Sequence, residues 1–246
     1  MSALPLLLLA AVPGQFVDSP AFPKAQQQAA LEATVRIYHP GSRLYGVGVG
    51  SGAIVHRDDK VAYVLTAEHL LPPGQVGIAV DLYFYTAKSY PEPSAKVLQA
   101  GVVRRLPDVD LAVIRAELPD HPGLLSICPE GKITRKLRYL PGSKQDPFPV
   151  LAVGVGGKED APTIWLDHVQ GLKAAKPGCP AYFYETGREP TAGRSGGPLV
   201  DERGYLIGIC NGKVGAKGYY LSVTEIRNAL DRNGLSFLLE PTKPAK

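Results

Sequence analysis

Ser195, His69 and Asp110 are the residues of this 246-residue chain whose types and order could carry out chemistry together. Ser195 stands in Thr191-Ala-Gly-Arg-Ser-Gly-Gly-Pro198, between glycines and ahead of an apolar run. His69 closes Tyr63-Val-Leu-Thr-Ala-Glu-His69, and Asp110 lies in Asp108-Val-Asp-Leu-Ala-Val-Ile114. A serine hydroxyl is a weak nucleophile until a base takes its proton. An imidazole can take that proton, and a carboxylate can fix the imidazole tautomer and stabilise the imidazolium that forms. The set is that of an acyl-transfer site. Gly193 and Ser195 would supply the backbone N–H groups of an oxyanion hole, since glycine lets a peptide turn inward without a Cβ clash.

Chain order separates two readings of the serine motif. Gly193-Arg-Ser-Gly-Gly197 also fits G-x-S-x-G, the nucleophile elbow of α/β-hydrolases, whose histidine follows the serine. The five histidines are His39, His56, His69, His121 and His168, so none follows Ser195. The order His, Asp, Ser is that of the chymotrypsin type. Asp108, two residues before Asp110, is the rival for the carboxylate. His39, His56, His121 and His168 lack comparable context and are expected at the surface or in turns.

The elements that must hold these residues read as strands. Thr34–Tyr38, Tyr45–His56, Val61–Thr66, Ile78–Tyr85, Ala95–Arg105 and Leu111–Arg115 alternate or are rich in β-branched and aromatic residues. A connection over Pro119–Lys132 leads to a second series: Thr134–Leu140, Pro149–Gly154, Thr163–Leu172, Ala181–Glu185, Pro198–Asp201, Tyr205–Asn211 and Tyr219–Val223. A short helix is expected over Ala25–Ala33. A final one is capped by Thr224, buries Ile226, Ala229 and Leu230, and stops at Asn233-Gly234. The expected fold is all-β, two packed six-stranded antiparallel barrels with a short C-terminal helix. Tyr45-Gly-Val-Gly-Val-Gly50 leaves one strand face bare, which suits a close backbone approach or a tight barrel bend. Without a following helix it is a poor dinucleotide site.

Composition is that of an ordinary globular protein, 45% apolar and 20% charged, with a net charge of +4. Lys132, Arg135, Lys136 and Arg138 form the densest basic run. With no aromatic interleaving it reads as a solvated face, and no nucleic-acid partner is expected. Residues 1–14 hold an apolar run too short to span a bilayer but of signal-peptide length, which points to secretion or the periplasm; without such a role the protein would be cytoplasmic. The expected organisation is this leader, a linker and short helix over 15–29, a first barrel over 30–120, a connector and second barrel with its helix over 121–235, and a tail over 236–246. Cys128, Cys179 and Cys210 match no zinc template. Buried free thiols are expected, with a Cys179–Cys210 bridge open if the protein is exported.

Ser51-Gly-Ala-Ile-Val55, Val64-Leu-Thr-Ala-Glu-His69, Asp110-Leu-Ala-Val113, Gly193-Arg-Ser-Gly-Gly-Pro-Leu199 and Gly204-Tyr-Leu-Ile-Gly-Ile209 resemble the trypsin-like serine peptidases of the chymotrypsin clan, nearest the bacterial HtrA-like branch. The resemblance spans roughly residues 30–235 and leaves no PDZ-sized segment after them, which sets regulated oligomeric quality control aside. It implies a chymotrypsin-like double barrel with the site between the halves. The Asp-Leu-Ala-Val resemblance is what puts Asp110 rather than Asp108 in the catalytic place, so His69 and Asp110 would come from the first and Ser195 from the second. It implies a serine endopeptidase acting on peptide or protein through an acyl-enzyme, with no cofactor and no metal. Glu189 falls where the family places the base of its S1 pocket, and a buried carboxylate there would favour Lys or Arg at P1; the adjacent Pro190 and the loop-like Thr186–Thr191 favour an exposed loop glutamate instead. Asn211, Gly212 and Lys213 would form the edge that pairs with substrate backbone, and Lys213 could neutralise Glu189. Arg194 departs from the Asp or Asn of many members. A guanidinium cannot accept a new amino terminus, so activation of that kind is not expected. An inactive protease-fold binding module and an esterase with the same triad stay open as alternatives.

Overall fold

The computed structural model describes residues 16–39, 48–58, 60–72, 78–118, 120–134, 137, 146–156, 159–174 and 180–240. The leader, Cys179 and most of the basic run and of Thr134–Leu140 lie outside them. Two closed six-stranded antiparallel barrels follow one another along the chain. The first is built from β1 (Thr34–His39), β2 (Gly48–Asp58), β3 (Val61–Thr66), β4 (Ala79–Phe84), β5 (Ala95–Leu106) and β6 (Leu111–Glu117). The second uses β7 (Phe148–Gly154), β8 (Thr163–Ala174), β9 (Tyr182–Thr186), β10 (Pro198–Val200), β11 (Leu206–Val214) and β12 (Lys217–Ser222). Their strand orders, β1-β2-β3-β6-β5-β4 and β7-β8-β9-β12-β11-β10, are the same when each barrel is counted from its own first strand. No internal repeat is visible in the sequence, so the repetition lives in topology alone.

Period-two alternation explains why several strands read as near-continuous apolar runs. In β2, β3 and β6, Ile54, Val64 and Ile114 fill the first barrel with Val35, Ile37 and Leu82. Their neighbours Ala53, Leu65 and Val113 face the other way and join the core of the second barrel, with Val150, Leu199, Ile209 and Leu221. Both faces of these strands are buried, because one face closes a barrel and the other forms the seam between barrels. The bare glycine face of β2 serves close packing: a Cβ at Gly52 would come within 2.6 Å of Val64 Cγ1.

Before β1, α1 (Lys24–Glu32) follows Pro23 and buries Ala30 and Leu31. Gln27, also buried, holds the approaching chain by donating to Val17 O at 2.9 Å and accepting from Val17 N–H at 2.8 Å. After β12, α2 (Val223–Arg232) buries Ile226, Ala229 and Leu230 as expected, and Gly234 leaves it at φ +71°. Thr224 is not its cap. Ser222 ends β12 in extended conformation and precedes the helix directly, which leaves Thr224 in the first turn. Thr134 and Leu137, the described residues of the expected Thr134–Leu140 strand, lie outside the strands. The barrel is closed without them by β7 pairing with β10. His39 and His121, expected at the surface or in turns, are buried. The His121 ring packs edge-on against Phe84, and its Nε2 bonds Glu32 O at 2.8 Å. His56 is half-buried in β2, and His168 is exposed in β8.

Ser51, fully buried in β2, makes the polar joint across the seam. Its N–H donates to Ser195 O at 2.8 Å, and its Oγ donates to Gly193 O at 2.8 Å while accepting Val155 N–H at 2.9 Å. Its carbonyl accepts Thr66 Oγ1–H at 2.6 Å. Ser51→Ala strands one buried donor and one buried acceptor, so the protein should lose about 1–3 kcal/mol of unfolding free energy. Denaturant unfolding measures it, and an unchanged midpoint would contradict the joint.

Candidate active site

Three connections meet at the seam. His69 sits in a one-turn 3-10 helix, Glu68–Leu70, which begins just past β3. The Arg105 guanidinium of β5 straps that turn, pairing with Glu68 and donating to Pro72 O at 2.7 Å. Asp110 follows a second 3-10 turn, Pro107–Val109, and enters β6 from a left-handed backbone at φ +53°. Aspartate tolerates that region better than most residues. Asp108, the rival carboxylate, is exposed within the preceding turn.

Asp110 grips His69 twice. Oδ1 accepts the His69 backbone N–H at 2.8 Å, and Oδ2 lies 2.8 Å from Nδ1. Asn211 of β11 adds a third hold, with Nδ2 donating to Asp110 Oδ2 at 2.9 Å and to Asp110 O at 2.8 Å. Asn211 Oδ1 is itself fixed by Leu221 N–H at 3.0 Å. The sequence reading put Asn211 on the substrate-facing edge. Its side-chain amide serves the carboxylate as well, and only the type of side chain, one with a donor and an acceptor, could have signalled this.

These contacts set the charges. Burial pushes the Asp110 carboxyl up, but the bonds from His69 and Asn211 together outweigh it and hold the group below the usual carboxylate range. The bond to Asp110 raises His69, with burial opposing it in part. The His69 side chain remains 43% exposed, so its far edge is open to an incoming molecule.

Ser195 lies between β9 and β10 in a turn with Gly193 at φ +92° and Gly196 at φ +84°. Glycine is required at 196 on two counts: its backbone is left-handed, and a Cβ there would overlap Ser51 O and Thr66 Oγ1 of the first barrel. The turn is therefore pressed against the segment that leads into His69. Its backbone donors divide into two groups. Arg194 N–H donates to Thr191 O at 3.1 Å, Gly196 N–H to Cys210 O at 2.7 Å and Gly197 N–H to Arg194 O at 3.0 Å. Among the described residues, the N–H groups of Gly193 and Ser195 make no hydrogen bond, and none joins Ser195 Oγ to His69.

Glu189 is exposed rather than buried at a pocket base, and its carboxylate pairs with Lys213 Nζ. Beside it, Gly212, Lys213 and Val214 of β11 pair with β12, while β10 stops at Pro198, opposite Ile209. One edge of that stretch is thus left unpaired among the described residues. Cys128 and Cys210 are buried free thiols, and burial pushes Cys210 up to about 11. Among the described residues no group of three or more His, Cys, Asp and Glu is placed to hold a metal. No helix there is long and apolar enough to cross a membrane.

The His69 imidazole should titrate above the roughly 6.5 of an ordinary histidine. A raised value keeps it protonated to higher pH, and Asp110→Asn should bring it down. An NMR titration of the ring protons reads both, and a value at or below the ordinary one in the wild type would contradict the geometry.

A family model for the trypsin-like peptidase domain matches residues 50–209. No curated protein sequence matches the chain. Among solved structures, the chain is similar to the active form of the Rv3671c protease from M. tuberculosis, with 20% identity, a TM-score of 0.63, and 96% of this chain and 97% of that one covered. The inactive form of the same protease gives 21% identity and a TM-score of 0.61 over 85% and 93% of the two chains. The HtrA-type protease AlgW with a tripeptide gives 20% identity and a TM-score of 0.61, with 85% of this chain and 63% of that one covered. At such identities these structures speak for the double barrel alone. The family match over residues 50–209 goes further, and the chain belongs to the trypsin-like peptidases.

Proposed function

We propose that this peptidase is a serine endopeptidase that works through Ser195, His69 and Asp110. The observation that carries the reading is the gripped His69–Asp110 pair on one barrel, set beside a serine turn from the other whose Gly193 and Ser195 N–H groups are uncommitted. His69 Nε2 takes the proton of Ser195 Oγ as the oxygen bonds to the substrate carbonyl carbon. The carbonyl oxygen becomes an oxyanion held by the two free N–H groups. The C–N bond then breaks, the amine leaves with the proton from His69, and an acyl-enzyme remains. Water, deprotonated by His69, releases the acid and restores the serine. The hydroxyl–imidazole bond in such sites tightens as substrate binds.

Substrate backbone would add as a strand along the open edge of Gly212–Val214. Glu189 offers no bare charge to a basic P1 side chain, because Lys213 already occupies it. The reading therefore assigns no Lys or Arg preference to the wild type.

Two measurements test this. A fluorophosphonate probe should label the wild type and leave Ser195→Ala and His69→Ala unlabelled, with peptide substrates cleaved in parallel. A folded wild type that takes no label would favour a binding module, and label with intact peptides would favour an esterase. Lys213→Ala frees Glu189, so kcat/KM for Arg at P1 relative to Leu should rise by about two- to fivefold, the scale of an exposed ion pair. An unchanged ratio would place Glu189 away from the P1 side chain.

A further inference from the structure

Arg194 is 1% exposed and, among the described residues, heads the fully buried side chains by volume. Nη1 donates to Gly154 O at 3.0 Å and to Thr163 Oγ1 at 2.9 Å, and Nη2 to Ala152 O at 2.7 Å and Thr163 O at 3.2 Å. Gly154 is paired with Thr163, and Ala152 with Trp165, in the β7–β8 ladder. The guanidinium thus plugs into the end of that ladder. Its carbon stands 3.7 Å from the centre of the Trp165 ring, and that of Arg188 stands 3.6 Å from it. Two guanidinium planes cannot share one face at such distances, so they sandwich the indole. On the same side of β8, buried Asp167 accepts Gly187 N–H at 3.1 Å and Arg188 N–H at 3.2 Å. The segment from Gly187 to Arg194 is accordingly pinned to β8 at both ends.

Stability is a poor reason for this arrangement. None of the four acceptors that Arg194 bonds is a carboxylate, and its Nε has no partner. A buried cation so placed carries a desolvation penalty that an apolar side chain of similar size would avoid. What the side chain does fix is the backbone between Gly193 and Ser195, since Arg194 is the residue between them. That peptide pair cannot rotate without drawing the guanidinium from its socket.

We propose that Arg194 is the positioning residue of the serine turn, an anchor inside the second barrel that holds the Gly193 and Ser195 N–H groups in the orientation an oxyanion requires. The proposal rests on the reading of Ser195 given above. It makes the turn competent without a charged group arriving from elsewhere in the chain.

The test compares wild type with Arg194→Ala, with Arg194→Lys as the second variant should the first not fold. Trp165 is the one tryptophan of the chain, so emission reports on its socket directly. In the alanine variant kcat should fall by about 100-fold or more with KM little changed, as when an oxyanion donor is lost. Trp165 emission should move to longer wavelength as water reaches the freed ring face. Guanidinium well below its denaturing range should restore part of kcat and reverse the emission shift, where an equal concentration of sodium chloride does neither. Lysine keeps the charge but not the fork, so Arg194→Lys should fold and remain impaired in kcat. An unchanged kcat, a loss carried by KM, or an equal effect of the two salts would overturn the proposal. A wild type that takes no fluorophosphonate defeats the catalytic reading instead, and the emission shift still tests the anchor.

Discussion

Everything at this site depends on a joint between two separately closed barrels. The proposed base and its carboxylate belong to one and the proposed nucleophile to the other, so no ladder fixes the distance between them. Apolar packing of Ala53, Leu65 and Val113 against the second core brings the halves together, but such contacts slide easily. Ser51 supplies direction. Its N–H, hydroxyl and carbonyl are all committed, two of them to Ser195 and Gly193 themselves. Asn211 repeats the device from the opposite side, reaching out of β11 to the main chain and the carboxylate of Asp110. Each barrel thus holds the other's chemistry in place by hydrogen bonds that would be costly to leave unmade.

Much of this was legible in the residues. Alternation gave β1 through β6 with small errors at the ends, and six of the segments expected in the second half are strands, while all but Thr134 and Leu137 of Thr134–Leu140 lie outside the described residues. On the glycine face of β2 a Cβ at Gly50 would overlap the Leu70 side chain, so the bare face there admits a close neighbour. The contexts of His69, Asp110 and Ser195 were enough to bring those three positions forward.

What escaped has a common physical reason: a sequence displays what a residue can do, whereas its partner is set by the fold. Asn211 shows in the sequence as an edge residue, and its bonds to Asp110, 101 residues away in the chain, belong to the fold alone. His39 and His121 look like surface residues because nothing local marks the packing around them. Arg194 shows in the sequence only that it cannot accept a new amino terminus, and since arginine is rarely buried nothing local marks it as an anchor. Its place under Trp165 depends on a register between β7 and β8 that no local pattern encodes. Thr224 lost the cap for a simpler reason, that β12 runs straight into α2 without a spacer.

The shared strand order has a consequence for where chemistry can arise. His69 lies in the connection from the third to the fourth strand of its barrel, and Ser195 lies in the connection from the third to the fourth strand of the other. The proposed base and the proposed nucleophile thus occupy the same architectural position in the two barrels, with different sequence written into each copy. Asp110, between the fifth and sixth strands, is met by Asn211 from the fifth strand of the opposite barrel. The proposed reaction, which needs unlike groups side by side, would be divided between like loops. The ladders on either side bring each loop to the seam, and contacts made by the loop itself, Gly196 against Ser51 in one and Glu68 under Arg105 in the other, settle how it stands there.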